Sequence, residues 1–488
     1  MGTGATVGTR PFVHPEPTVP TTGDAGAARE PRFWIAVAAA IVIGAVVRFA
    51  YLLNGAPTFV WSDAYIYHHQ AVRIADGLGY TSPIGNVGEE WAHHAPGWVT
   101  VLSWVTEAGW RSVRDHQAVG LLIGLVLIVV AALVGRRYAG HRVGVLAAFL
   151  AAVYPGFWVL EAQILSEPLG LVVAGVLMLV LADLWERPTL ARAVLAGAVA
   201  GLLALVRSEQ VALLVIAVAP VLLLNLRLSV RRRLAWTGAA AAATLVVIAP
   251  WTIYNQGRFE QPVLLSTNLG FTLLAGNCPP TTYGGELIGS YDMRCDIGLD
   301  IIHPEIDRSE HDMYARREAL SYMRDNVTRL PEVVAARYGR LLGVFRPSQT
   351  VAIATSWAGN GPTWPVWAWV VSFWIVAPLA AYGAVTLRRS RTFQWPLLAP
   401  LVIVLLAVTV AYGEPRYHTP ADLGLLVLAA VAIDRLLSRV VLRAAGPASE
   451  SAETTTVANL GSPGNGRLSQ RRRDEINSWG KLGHDDGC

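Results

Sequence analysis

The chain has 488 residues, of which 53% are hydrophobic and only 15% charged, and its mean hydropathy is +0.42. This composition excludes a soluble protein, whose domains are about one-quarter charged. The net charge of +4 sits in short loops between apolar runs rather than on one face, which points to membrane topology and away from nucleic acid.

Residues 1–32, rich in Pro, Gly, Thr and Ala, read as a disordered cytoplasmic tail and not as a signal peptide. Beyond them, continuous apolar runs match a hydrocarbon core about 30 Å thick at about 1.5 Å per helical residue. Such runs do not read as the alternating segments of a β-barrel. They predict spans near 33–53, 118–135, 143–160, 168–185, 191–206, 209–225, 235–253, 366–386, 396–412 and 419–436. The expected fold is therefore an all-α polytopic membrane protein with about ten transmembrane helices. Its membrane domain covers 33–436, and a second disordered cytoplasmic tail covers 437–488.

Four arginine clusters fall on one side of that arrangement: Arg136, Arg137 and Arg142; Arg227, Arg231, Arg232 and Arg233; Arg388, Arg389 and Arg391; Arg435, Arg439 and Arg443. The positive-inside tendency makes that side cytoplasmic. It leaves two large external loops, 54–117 and 254–365, both expected to contain interfacial helices. Segment 95–110 is Trp-rich and too short to span comfortably, so it is expected at the outer interface. In the second loop, Ser309 and Asp312 have the spacing of a helix-capping pair. Met313, Leu320, Met323, Val327 and Leu330 follow at helical intervals, as in an amphipathic surface helix. Cys278 and Cys295 share this loop and can pair if it faces an oxidising compartment. The sequence leaves that open.

Several polar residues stand where the spans meet the external side. Asp63 follows the first span in Trp61-Ser62-Asp63-Ala64-Tyr65-Ile66-Tyr67; it fits either a helix cap or an acid set at the membrane surface. Glu167 opens a span before Pro168, a position that suits a helix N-terminus and also the cavity that Asp63 faces. Arg207 and Arg416 lie on the side where arginine is disfavoured, so each needs an anionic partner. That partner is a neighbour, Glu209 or Glu414, or a bound phosphate. His93 and His94 are adjacent, point in different directions and make a poor metal pair by themselves. No Walker A loop, dinucleotide fingerprint or zinc-type cysteine spacing occurs, so neither a cofactor nor a metal is expected.

Taken in order, these residues resemble the integral-membrane glycosyltransferases of the C superfold (GT-C), in particular the bacterial branch related to protein O-mannosyltransferases and the aminoarabinose transferase of lipid A. The resemblance runs from about residue 33 to 436. It is carried by Asp63-Ala64-Tyr65 with Gly77-Leu78-Gly79-Tyr80, His94-Ala95-Pro96-Gly97-Trp98, Ser166-Glu167-Pro168 and Leu205-Val206-Arg207. Pro250-Trp251-Thr252-Ile253, Ser266-Thr267-Asn268, Gly276-Asn277, Arg316-Arg317-Glu318-Ala319-Leu320 and Pro415-Arg416-Tyr417 continue it. Two departures stand out: Ala95 and Trp98 where relatives commonly have Pro and Tyr, and Tyr254-Asn255 where they often have Arg-Asn.

The resemblance implies a polyprenyl-phosphate sugar donor and a glycan, lipid or protein acceptor at the external face of the plasma membrane. It implies Asp63 as general base, Glu167 as its helper, and Arg207 and Arg416 as binders of the leaving phosphate. Tyr67, His93 and His94 follow as contacts to sugar or phosphate, and Arg258 ranks below the other two arginines. A secondary transporter or flippase of a lipid-linked or anionic substrate fits the helices equally, but transporters usually place their ionisable groups near the bilayer midplane.

Overall fold

The structure is a computed structural model and describes residues 22–57, 62–279, 285–303, 305–357 and 361–445. The expected tails at 1–21 and 446–488 lie outside the described residues. The chain divides into two units, Met1–Arg435 and Leu436–Cys488, and the side-chain clusters of interest belong to the first.

Among the described residues the regular secondary structure is helical apart from one isolated bridge between Thr81 and Glu90. In chain order come α1 (Thr22–Asn54), α2 (Ser62–Ala75), α3 (Pro96–Glu107), α4 (Val113–Ala139), α5 (His141–Val153), α6 (Pro155–Glu161), α7 (Glu167–Glu186) and α8 (Leu190–Val206). After two short 3-10 and π turns come α9 (Ala219–Leu223) and α10 (Val230–Asn255). The large loop holds α11 (Leu269–Gly276), α12 (Arg294–Ile302), α13 (Arg308–Asp325), α14 (Leu330–Leu341) and α15 (Pro347–Trp357). The chain closes with α16 (Trp364–Arg389), α17 (Trp395–Val410), a 3-10 turn over Pro415–His418, and α18 (Thr419–Ala445).

The expected ten spans are corrected by this arrangement. Among the described residues, five helices are long and apolar enough to cross a membrane: Glu30–Asn54 within α1, α4, α7, α10 and α16. There are up to six if the bent pair α5 and α6 is one span. The 143–160 run breaks at Pro155 and bends by 51°, as expected where a proline opens a new helix. The 191–206, 209–225 and 396–412 runs become shorter apolar helices. The 419–436 run lies in α18, which is long but carries Asp422, Asp434 and Arg435.

Local chemistry explains the element ends. Ser112 caps α4 by accepting from the Asp115 N–H, while the Asp115 carboxylate accepts from the Ser112 N–H, satisfying two otherwise orphaned donors. Small residues let helices approach closely. A Cβ on Gly197 of α8 would overlap the Ala240 carbonyl of α10. Arg136 and Arg137 at the end of α4 bind Glu30, Asp183 and Glu186, so one end of the bundle is rich in ion pairs. Glu167 opens α7 and Glu186 closes it, which sets Glu167 roughly 30 Å from that end.

In the large loop, Cys278 and Cys295 are joined in a disulfide. The cap of α13 is Asp307 with Glu310, two residues earlier than the expected Ser309 and Asp312: Asp307 accepts from the Ser309 and Glu310 N–H groups. The buried residues of α13 are Ser309, His311, Asp312, Ala315 and Ala319, leaving Leu320 and, beyond its end, Val327 exposed. The Trp-rich helix α3 has 12 residues, roughly 18 Å at helical rise, and its Trp98 is fully buried, donating to the Ile164 carbonyl at 2.8 Å.

Candidate active site

Four elements deliver the charged residues singled out in the sequence. Asp63 is in the first turn of α2, and Glu167 opens α7 in front of Pro168. Arg207 follows α8, whose backbone it leaves in an extended conformation. Arg416 lies in the 3-10 turn Pro415–His418. Ser62, directly before Asp63, and Ile164, three residues before Glu167, hold positive φ angles of 54° and 57°. For a β-branched residue such as Ile164 this is a strained conformation, of the kind that collects at functional sites.

The segment carrying Arg416 is held from below. Arg337 of α14, fully buried, donates to the carbonyls of Thr409 at 2.6 Å and Gly276 at 2.9 Å and to Asn277 Oδ1 at 2.7 Å. Gly413 donates to the Gly289 carbonyl at 2.9 Å, and a Cβ there would overlap the Arg337 carbonyl.

The four charges meet. Arg416 donates from Nη2 to Asp63 Oδ2 at 2.5 Å and from Nε to Glu167 Oε1 at 2.7 Å. Arg207 Nη1 stands 2.9 Å from the same Glu167 oxygen, and its Nε donates to Glu209 Oε1 at 2.7 Å. Glu167 is 2% exposed, and its second oxygen makes no hydrogen bond. Ser166 Oγ accepts from Arg207 and from the Tyr67 hydroxyl, both at 3.2 Å. His94 stacks on Tyr67 at 4.6 Å between ring centroids and sets Nε2 3.5 Å from Asp63 Oδ1. His93 packs between Trp91 and Phe271, one ring away from His94.

Electrostatics separates the groups. Burial pushes the Asp63 carboxyl up, but Arg416 and His94 outweigh it and hold it well below the usual carboxylate range. Burial works against charge on Arg207 and Arg416 too. Glu167 and Glu209 for the first, and Glu167 and Asp63 for the second, more than offset it, so both stay cationic. Burial, with His94 adding, holds His93 well below its ordinary value and therefore neutral. Burial pushes the Tyr67 hydroxyl up, with Asp63 adding to the shift.

Two of the expected residues behave differently from the rest. Arg258 turns to Glu90, to the Tyr80 carbonyl at 2.7 Å and to Asn255 Oδ1 at 3.0 Å, and lies over the Tyr254 ring. None of these contacts is shared with the Asp63 cluster. Glu414, expected as a simple neighbour of Arg416, is not its partner. Burial pushes the Glu414 carboxyl up to about 7 against the pull of Arg416. Tyr291 and Tyr417 flank Tyr412 beside it. Sequence reasoning offered Glu414 only as an ion-pair partner for Arg416 and overlooked Tyr291 and Tyr412, which are remote from it or outside any motif in the sequence.

A narrow cleft, with room for little more than a water molecule, runs from Glu167 and Arg207 along Gly170, Leu171 and Ala174 of α7 and Leu203 of α8. It thus has a charged end and an apolar body.

The fold and this site define a multi-pass helical membrane protein with an acid–guanidinium cluster at one end of its bundle. Residues 100–254 match the family model described as dolichyl-phosphate-mannose-protein mannosyltransferase, and over that stretch the chain is similar to membrane-embedded glycosyltransferases. None of the curated protein sequences matches the chain. Among solved structures, the Archaeoglobus fulgidus oligosaccharyltransferase tethered to an acceptor peptide shares 14% identity at a TM-score of 0.47, covering 86% of this chain and 51% of that one. The present chain thus spans about half the length of that enzyme. ArnT from Cupriavidus metallidurans bound to undecaprenyl phosphate shares 17% identity at a TM-score of 0.37, covering 82% and 78%. At such identity and superposition neither bears on donor, acceptor or residue roles.

Proposed function

We propose that the protein is a GT-C glycosyltransferase that moves a sugar, mannose or arabinose-like, from a polyprenyl-phosphate donor to an envelope glycan, lipid or protein at the external membrane face. The observation that carries this reading is the meeting of Asp63, Glu167, Arg207 and Arg416, four residues far apart in sequence. The match of residues 100–254 to a family of lipid-phosphate-sugar transferases supports it.

The chemistry follows from the charges. A lipid phosphate is a good leaving group whose developing charge needs cations already in place. Arg207 and Arg416 are such cations, each now neutralised by a carboxylate. An arriving phosphate competes with Asp63 for Arg416. As that ion pair loosens, the Asp63 carboxyl moves back up from its depressed value and becomes a better proton acceptor. The acceptor hydroxyl gives its proton to Asp63 as its oxygen attacks the anomeric carbon, and the bond to the phosphate oxygen breaks on the opposite face. One displacement of this kind inverts the anomeric centre. Glu167 keeps the two guanidinium groups together, and Tyr67, His93 and His94 form the wall beside Asp63.

Incubating the purified protein with labelled polyprenyl-phosphate mannose or arabinose and envelope extract tests the proposal. Wild type transfers label, and Asp63→Asn is slower by about 10²-fold or more; equal transfer by the two proteins removes Asp63 as base.

A further inference from the structure

A second group of ionisable side chains, in the large loop, is not used by the transfer chemistry. We propose that Asp296, Asp300 and His311 bind a borderline divalent cation, Zn²⁺, that ties α12 to α13.

Asp296 and Asp300 are four residues apart on α12 and so share one face, where two carboxylates repel. His311 lies on the first turns of α13. One ligand atom from each of the three residues lies within 4.8 Å of the others. Asp296 is 8% exposed and His311 is 4% exposed. Asp296 Oδ1 and His311 Nε2 stand 3.6 Å apart, and neither makes a hydrogen bond. His311 Nε2 also lies 3.2 Å from Asp300 Oδ1, again without hydrogen-bond geometry. Buried polar atoms normally find partners, and a pair of orphans facing one another needs a reason.

Protein cations do not supply one. Arg308 Nη1 donates to Asp300 Oδ1 at 2.9 Å, and Arg316 pairs with Asp312. Among the described residues no arginine bonds to Asp296. One imidazole nitrogen and two carboxylate oxygens form a donor set suited to Zn²⁺ with a fourth position open. Calcium and magnesium call for six or more ligands, mostly oxygens. The cation takes Asp300 through the oxygen that Arg308 leaves free, or displaces that guanidinium.

The two ligand-bearing helices are already anchored to the same short helix. Cys295, next to Asp296, is bonded to Cys278 just after α11. Asp312, next to His311, accepts from the Gly270 N–H of α11 at 2.5 Å. Such support holds ligands near a productive geometry before any metal arrives. Arg308 in turn lies over Trp91, which stacks on His93, so the clamp borders the wall that leads to Asp63.

The test uses the purified full chain in detergent, stripped with EDTA, reloaded with Zn²⁺, desalted and analysed for metal. Wild type is expected to retain about one zinc per chain, and His311→Gln and Asp296→Asn to bind it at least roughly tenfold more weakly. With Co²⁺ in place of zinc, the visible d–d band of wild type should change in His311→Gln. Matching thermal midpoints of the metal-free proteins show that the variants fold. Wild type that retains no zinc, or variants that both retain it as wild type does, overturn the proposal. Neither donor nor acceptor enters this experiment, so its failure leaves the transferase reading standing, and the reverse.

Discussion

Glu167 Oε1 receives two guanidinium groups at once, at 2.7 and 2.9 Å, and this one oxygen sets the spacing of the cations on which the proposed chemistry rests. Its neighbour Glu414 shows what the same surroundings do to an acid without a guanidinium of its own. Burial raises its carboxyl from an ordinary 4.5 to about 7, so the fold prefers it protonated. That preference contributes stability in full below about pH 4.5, and the contribution is lost as pH rises to about 7. Glu414→Gln keeps the neutral form at every pH. It should therefore unfold later than wild type at about pH 8, by up to ~3 kcal/mol, with the difference closing below about pH 4.5. Denaturation in detergent at the two pH values measures this; a gap that does not depend on pH contradicts it. Asp63, Glu167, Arg207 and Arg416 were legible in the sequence because charges at the ends of apolar runs need a partner. Which charge partners which was not, since Arg416 passes over its neighbour Glu414 and reaches back to Asp63 and Glu167.

At the scale of elements, Arg416 is positioned by a short extended segment resting on α14. Gly413→Ala should push the Pro415–His418 turn off the Arg337 carbonyl. The expected result is a destabilisation of about 1–3 kcal/mol, the range for overpacking, and a loss of transfer larger than any loss in helix content. Circular dichroism with the transfer assay checks both, and an alanine variant with full transfer shows that the turn needs no such seat. The capping box of α4 and the proline start of α7 are stated by local sequence and form as their residues dictate. The start of α13 is less transparent: Asp307 and Ser309 both suit a cap, and the choice falls to Asp307 because its carboxylate reaches two N–H groups at once. The buried face of α13 escaped the apolar pattern altogether, since it is made of small and polar residues, Ser309, His311, Asp312, Ala315 and Ala319.

For the whole molecule, hydropathy identifies an all-α membrane protein and overcounts its spans. An apolar run records that a segment avoids water, not whether it stays straight for the full thickness of a bilayer. Pro155 bends one run, 3-10 and π turns shorten another, and charges along α18 set that helix apart. Orientation has a direct check in the large loop. If 254–365 is external, a membrane-impermeant maleimide added to intact cells should label Cys278 and Cys295 only after reduction, because the two are bonded. Labelling from the cytoplasmic side alone reverses the orientation.

Under the proposed function Arg207 and Arg416 together receive the lipid phosphate of the donor. Binding of a sugar-free polyprenyl phosphate to purified wild type, Arg207→Gln, Arg416→Gln and Asp63→Asn tests it most directly. Each arginine variant should lose affinity, by roughly tenfold or more for one charge-assisted contact, while Asp63→Asn binds as tightly as wild type or more so, having released Arg416. Affinity unchanged in both arginine variants contradicts the account.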